Sequence, residues 1–310
     1  MDLRSRPKRI LVVVLPLVML SLLMWVFFHK REPSYQGKTL SQWLKGYDET
    51  PFGNTEINQA VCHMGNDAIP HLEKMIAAKD SKLKEKLMVF AAKVFPGKML
   101  ITPDFIIRKR AYAGAGALGR EALPMVPLLI RSVETEEGVG RDYAALALGR
   151  IGPVATESVI NHLAKSTNWQ IRRAAAFALS GFPEIINTQP LAYSEQERSS
   201  AERLSIPVLL KLQSDTNQDV RASAISAFLS IHEEPEIVVP ALVNRLNDPL
   251  EIPRNRTKAA GALSTFGTQA RQAIPSLLTC LTNSDLRLRI QATNALKKID
   301  PEAAAKAGIK

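Results

Sequence analysis

An all-α superhelix, made of stacked helical hairpins and preceded by a single transmembrane helix, is the fold class the sequence predicts. Three observations carry the prediction. The stretch from Ile274 to Leu296, IPSLLTCLTNSDLRLRIQATNAL, reads as an apolar helix opened by Ile274-Pro275, a polar turn at Thr282 to Asp285, and a second helix with Arg289, Ala292, Ala295 and Leu296. The same grammar recurs upstream, which is the mark of a repeat architecture. Aromatic residues make up only 6% of the 310 residues while Ala and Leu abound, and this suits close helix packing better than a sheet. A hydrophobic share of 46% excludes wholesale disorder.

The formal net charge of +10 invites a nucleic-acid reading until it is divided along the chain. Half the excess lies in residues 1–31, where Arg4, Arg6, Lys8, Arg9, Lys30 and Arg31 face only Asp2. Those charges flank ILVVVLPLVMLSLLMWVFF, residues 10–28, an uncharged run whose helix would span roughly 28 Å, enough for a bilayer core. The run is longer than the centre of a signal peptide and ends in Trp25, Phe27 and Phe28 rather than small residues, so an uncleaved anchor is expected. Pro16 is tolerable in such a helix. The cationic bias of residues 1–9 places the N-terminus in the cytoplasm. Residues 29–38 then form a linker, and the array, residues 39–310, lies outside the inner membrane, in the periplasm of a bacterium with two membranes.

KTLSQWLKGY opens the array as a short amphipathic helix, with Trp43 expected to cover its exposed end. Ile57 to Gly65 reads as the tail of a second-type helix, and Ile69-Pro70 starts a first-type helix whose partner is expected at Leu83 to Phe95. The register breaks at PGKMLITP, Pro96 to Pro103, too rich in breakers for a helix. Phe105 to Gly119 is again second-type, with Ala111, Gly114 and Ala117 at the small positions. Pairs follow regularly, first helices opening at Val126-Pro127, Ile206-Pro207, Val239-Pro240 and Ile274-Pro275. Arg141, Arg172, Arg221, Arg256 and Arg289 mark the second helices at intervals of 31, 49, 35 and 33 residues. The long interval is expected to hold an insertion at residues 183–203, either a recognition loop or a surface excursion. Asp300-Pro301 should cap a short closing helix.

Proline in a first turn sacrifices no hydrogen bond, so Pro127, Pro207, Pro240 and Pro275 are read as helix starts. Ala three and six places after each Arg lets neighbouring helices approach. Gly119, Gly149, Gly181 and Gly267 are read as left-handed ends. The aligned arginines are either an anion track or a structural ladder. Asp215 and Asn283 each stand six residues before an Arg, a spacing that lets a turn residue meet the Arg of its own or the adjacent repeat, which favours the ladder.

The Ile/Val-Pro, turn Asp/Asn, Arg and Ala-Leu-Gly signature over residues 57–299 resembles HEAT-like repeats in the short bacterial form also found in phycocyanobilin lyase-type proteins. TLSQWL behind an anchor is similar to membrane-anchored bacterial HEAT-repeat proteins. The resemblance implies a curved superhelix with a concave interaction face, and it is specific for fold but not for activity.

His29, His63, His71, His162 and His232 form no metal-spaced motif, and no phosphate loop or Gly-x-Ser-x-Gly elbow occurs. Cys62 and Cys280 are read as packed thiols too far apart to bridge, and Cys62 near His63 and His71 as a packed residue rather than a nucleophile. No catalytic, cofactor-binding or metal-ligating residue is assigned, and the partner-binding residues are not named by the sequence. The expected function is a membrane-anchored, non-enzymatic scaffold or adaptor that binds a protein or peptide on its concave face. The alternatives are a nucleic-acid-binding protein of the HEAT-like DNA glycosylase type, disfavoured by the charge distribution, and a bilin-lyase-type enzyme.

Overall fold

The computed structural model describes residues 32–49, 54–79, 81–97, 99–180 and 193–309. The basic segment 1–9, the anchor at 10–28, the start of the linker and residues 183–192 of the insertion lie outside the described residues. No helix among the described residues is long and apolar enough to cross a membrane.

The described part of the linker is a small hairpin. Ser34–Tyr35 (β1) pairs antiparallel with Lys38–Thr39 (β2) across Gln36 and Gly37, both at positive φ, the turn whose twist suits two-residue hairpins. Thr39 then caps α1, Leu40–Leu44, in a reciprocal box with Gln42. Leu40, Trp43, Leu44 and Tyr47 are buried, and the Trp43 indole N–H donates to Tyr35 O at 3.0 Å.

In chain order the remaining helices are α2 (Thr55–Met64), α3 (Ile69–Ile76), α4 (Lys82–Val94), α5 (Asp104–Leu118), α6 (Val126–Thr135), α7 (Gly138–Ile151), α8 (Pro153–His162) and α9 (Trp169–Leu179). After the undescribed stretch come α10 (Glu195–Leu212), α11 (Gln218–Ala227), α12 (Pro235–Asn247), α13 (Pro253–Thr265), α14 (Ile274–Cys280), α15 (Leu286–Ile299) and α16 (Pro301–Lys306). They stack in two rows. Helices α3, α6, α8, α10, α12 and α14 form one row, and α2, α5, α7, α9, α11, α13 and α15 the other. The second row is the more closely packed, because Ala111, Ala144, Ala175, Ala224, Ala259 and Ala292 are fully buried where neighbouring helices meet. Closer spacing on one side favours a bend toward it, and in that sense this row is the concave one.

Four expectations are corrected. The partner of α3 is α5, not the helix beginning near Leu83. Ser81 caps α4 and its residues favour a helix, but none is buried; Leu87 and Phe90 stand where the close-packed row needs the small residues that α5 supplies at Ala111, Gly114 and Ala117. Pro207 and Pro240 do not open helices but lie inside α10 and α12. The insertion ends earlier than Arg203, since a capping box between Ser194 and Glu197 starts α10 at Glu195. Gly149 is helical, and α7 ends instead at Gly152, whose φ of 92° suits a residue without Cβ.

The helix end expected at Gly181 lies outside the described residues, and several other boundaries agree with the sequence reading. Pro127 and Pro275 sit in first turns, and Gly119 and Gly267 have positive φ. Pro96 to Pro103 carries no helix among its described residues. Asp300 accepts from Ala303 N to cap α16.

Candidate functional site

The arginine row is a structural ladder. In three repeats the guanidinium closes its own inter-helix turn with the same geometry: Arg172 Nη1 donates to Ser166 O and Thr167 O, Arg221 to Asp215 O and Thr216 O, and Arg289 to Asn283 O and Ser284 O. For Arg172 and Arg221 the other edge of the fork reaches the next repeat. Arg172 binds both carboxylate oxygens of Asp215 at 2.7 and 2.9 Å, and Arg221 binds Glu251 at 2.7 and 3.0 Å. Arg141 donates to Val133 O and to Gln170, and Arg256 to Leu246 O.

The Arg172 bonds hold the Asp215 carboxyl below the usual carboxylate range. Burial would raise Glu251, but the bonds from Arg221, Ile252 N and Asn255 outweigh it and keep it low. These arginines are therefore engaged by carboxylates and carbonyls, leaving few donors for phosphates.

Beside the ladder, at the leading ends of α7, α9, α11 and α13, the concave row opens into a groove of about 380 Å³. Trp169, 37% exposed, stands on one wall with Arg141 and Arg173, and Arg254 and Lys258 stand on the other. Among the lining residues four cations face one carboxylate, Asp219. Arg173 pairs back to Asp142 and Arg254 to Asp219 at 2.5 Å, so each ion pair ties one concave helix to the preceding one. Burial, then the neighbouring Arg254, holds the Lys258 ammonium below its ordinary pKa. An anionic group entering the groove would offset the repulsion from Arg254.

A second depression of about 490 Å³ adjoins it between α5 and α7. Its lining is more apolar: Phe105, Tyr112, Val139 and Tyr143, with Lys109 lying 5.3 Å from the Tyr143 ring. The concave face thus offers an aromatic half followed by a cationic half.

Apart from Arg141, none of these groove residues was singled out by the sequence, although a signal existed. Asp142 and Arg173 each follow a ladder arginine, and Asp219 and Arg254 each precede one by two residues. Equivalent positions in adjacent repeats therefore carry opposite charges.

The Cys62–His63 pair does not make a nucleophile. Burial, with the nearby Glu121 charge, pushes the Cys62 thiol up to about 11, its Sγ is bonded to Ala117 O, and the His63 ring stacks on Tyr35 at 4.5 Å. His71 is not part of that contact. Cys62 is half-buried rather than buried, Cys280 is buried, and both are free. Among the described residues no three His, Cys, Asp or Glu side chains cluster as metal ligands would.

Residues 206–297 match the family described as HEAT repeats. No curated protein matches the chain. Among solved structures, an engineered protein is similar at 21% identity over 78% of this chain and 98% of its own, with a TM-score of 0.41. Kap121p bound to Nup53p is similar at 16% identity and a TM-score of 0.52, and the karyopherin Kap121p bound to the SUMO protease Ulp1p at 15% and 0.53. In both cases 86% of this chain is covered but only 30% of the karyopherin. At these identities the likeness is one of fold, an all-helical solenoid of HEAT-repeat type.

Proposed function

We propose that this chain is a membrane-tethered HEAT-repeat scaffold or adaptor that binds a protein or peptide on its concave face and performs no catalysis. The observation that carries the reading is the groove around Trp169, where an exposed aromatic side chain shares the close-packed row with four cations. Exposed Trp and Arg are the residue types that dominate binding energy at protein interfaces. An extended segment with acidic and apolar side chains fits both halves of the face. Kap121p, of similar fold, is seen bound to Nup53p and to Ulp1p, which supports protein binding as a use of such a solenoid.

The apolar run at residues 10–28 and its cationic lead supply the tether, with the array on the extracytoplasmic side of a bacterial inner membrane. The engaged state of the ladder arginines weighs against the nucleic-acid alternative.

A photo-cross-linking residue placed at Trp169 or Val139, in the native host, is expected to capture a partner that the same residue at Ile237, on the outer row, does not. Arg173→Glu should abolish the capture at Val139. Equal capture from both rows would overturn the concave-face reading, and a C-terminal reporter active only in the cytoplasm would overturn the placement of the array.

A further inference from the structure

Helix α4 is an addition to the repeat, inserted between the two helices of the α3–α5 hairpin, and no residue of it is buried. Leu83, Phe90 and Val94 are 68%, 64% and 48% exposed, and with Leu87 they fall at helical spacing on a single stripe. Lys82, Lys86 and Lys93, all exposed, run alongside it. Glu85, the one acidic residue of α4, projects to the opposite side. The side facing the array carries Lys84, which pairs with buried Asp104 and fixes the helix in place.

In the turn beyond it, Met99 and Leu100 are 67% and 56% exposed. A helix of 13 residues rises only about 20 Å, too short to cross a bilayer, but its leucine, phenylalanine and lysine pattern suits one lying in the plane of an anionic lipid surface. Position agrees with chemistry, since α4 belongs to the end of the array where α1 packs on α5, and the apolar run 10–28 ends four residues before Glu32.

We infer that α4 and the turn after it form a second membrane contact, an in-plane amphipathic helix that inserts its Leu83–Phe90–Val94 stripe among anionic lipids and so fixes the orientation of the array on the bilayer. This rests on the tether proposed above. An isolated apolar segment leaves the array free to swing, whereas two contacts hold the concave groove at a set angle.

The test uses the full chain with Cys62→Ala and Cys280→Ala, reconstituted in vesicles of phosphatidylcholine and phosphatidylglycerol, with a nitroxide attached at Phe90→Cys or at Leu250→Cys, a position 90% exposed on the α12–α13 turn. Relaxation by oxygen, which concentrates in the bilayer, is compared with relaxation by a water-soluble nickel chelate. The Phe90→Cys label should favour oxygen and the Leu250→Cys label nickel. Lys82→Glu, Lys86→Glu and Lys93→Glu together, or vesicles of phosphatidylcholine alone, should reverse the Phe90→Cys ratio.

A Phe90→Cys label open to nickel while the protein resists alkaline carbonate extraction would overturn this inference and leave the tether standing. A label shielded from both relaxants would overturn it in favour of a second copy or a protein covering the stripe. Extraction by carbonate would remove the tether reading, and the label would still report whether α4 enters the bilayer.

Discussion

Arg221 shows how much one side chain holds when its fork is divided between two repeats. The side chain of its partner Glu251 is fully buried, and without Arg221 that carboxylate would keep only the longer ion pair with Arg245 at 3.3 Å. Arg221→Ala is expected to cost about 3 kcal/mol in urea unfolding. Arg203→Ala, which breaks a pair whose arginine is 61% exposed, should cost no more than about 1 kcal/mol. Asp215 extends the same logic to acid. Its folded pKa lies below its unfolded value because Arg172 bonds the carboxylate, so its contribution is complete above about pH 4 and is lost as pH falls through the lowered folded pKa. Asp215→Asn should therefore be less stable than the parent at neutral pH and show a shallower loss from about pH 4 downward, read from urea midpoints across a pH series.

At the scale of elements, the boundaries legible in the sequence are those set by chemistry within one turn. Ile274-Pro275, Asp300-Pro301 and the Asp215 to Arg221 spacing each place both partners within seven residues, and the structure has them where the pattern put them. Choices that depend on a distant neighbour were misread. The sequence of α4 is a good amphipathic helix, and only the spacing available beside α3 decides that α5 takes its place. The box from Ser194 to Glu197 was readable, and it outweighs the expectation that Pro207 marks a start; the proline is carried inside a helix begun earlier. Most of the groove was hard to read for the same reason, since Trp169, Arg254 and Lys258 come together only after repeats of 31 to 35 residues, and the insertion between them, are stacked. Gly114 measures how close that stacking is. A Cβ there would lie 2.8 Å from Leu72 Cδ2 and 3.1 Å from Leu44 Cδ2, both in fully buried side chains. Gly114→Val is expected to destabilise the protein by about 1–3 kcal/mol through overpacking, despite removing a helical glycine, with thermal unfolding as the readout.

For the whole molecule, the two-row stack means that each hairpin is supported by its neighbours and by little else. Among the described residues, a contact around Tyr193 departs from this pattern and ties the chain after the insertion back to earlier repeats. The Tyr193 hydroxyl donates to Ile151 O at 2.6 Å, its ring lies 4.5 Å from the Arg120 guanidinium, and Arg120 pairs with Glu197. Among the described residues the C-terminal hairpin packs locally: α15 lies on α13, α14, the turn Gly267–Ala273 and α16. A cavity made there should therefore weaken its surroundings without reaching the other end. Leu296 is fully buried, and Leu296→Ala is expected to cost about 2–5 kcal/mol locally. In hydrogen exchange the loss of protection should be confined to α13 through α16, while α5 and α7 exchange as in the parent, because stability in a linear array is a sum of unit and nearest-neighbour terms. A uniform loss of protection from α2 to α16 would mean that the chain unfolds as a single globule, and the nearest-neighbour account of its stability would fail.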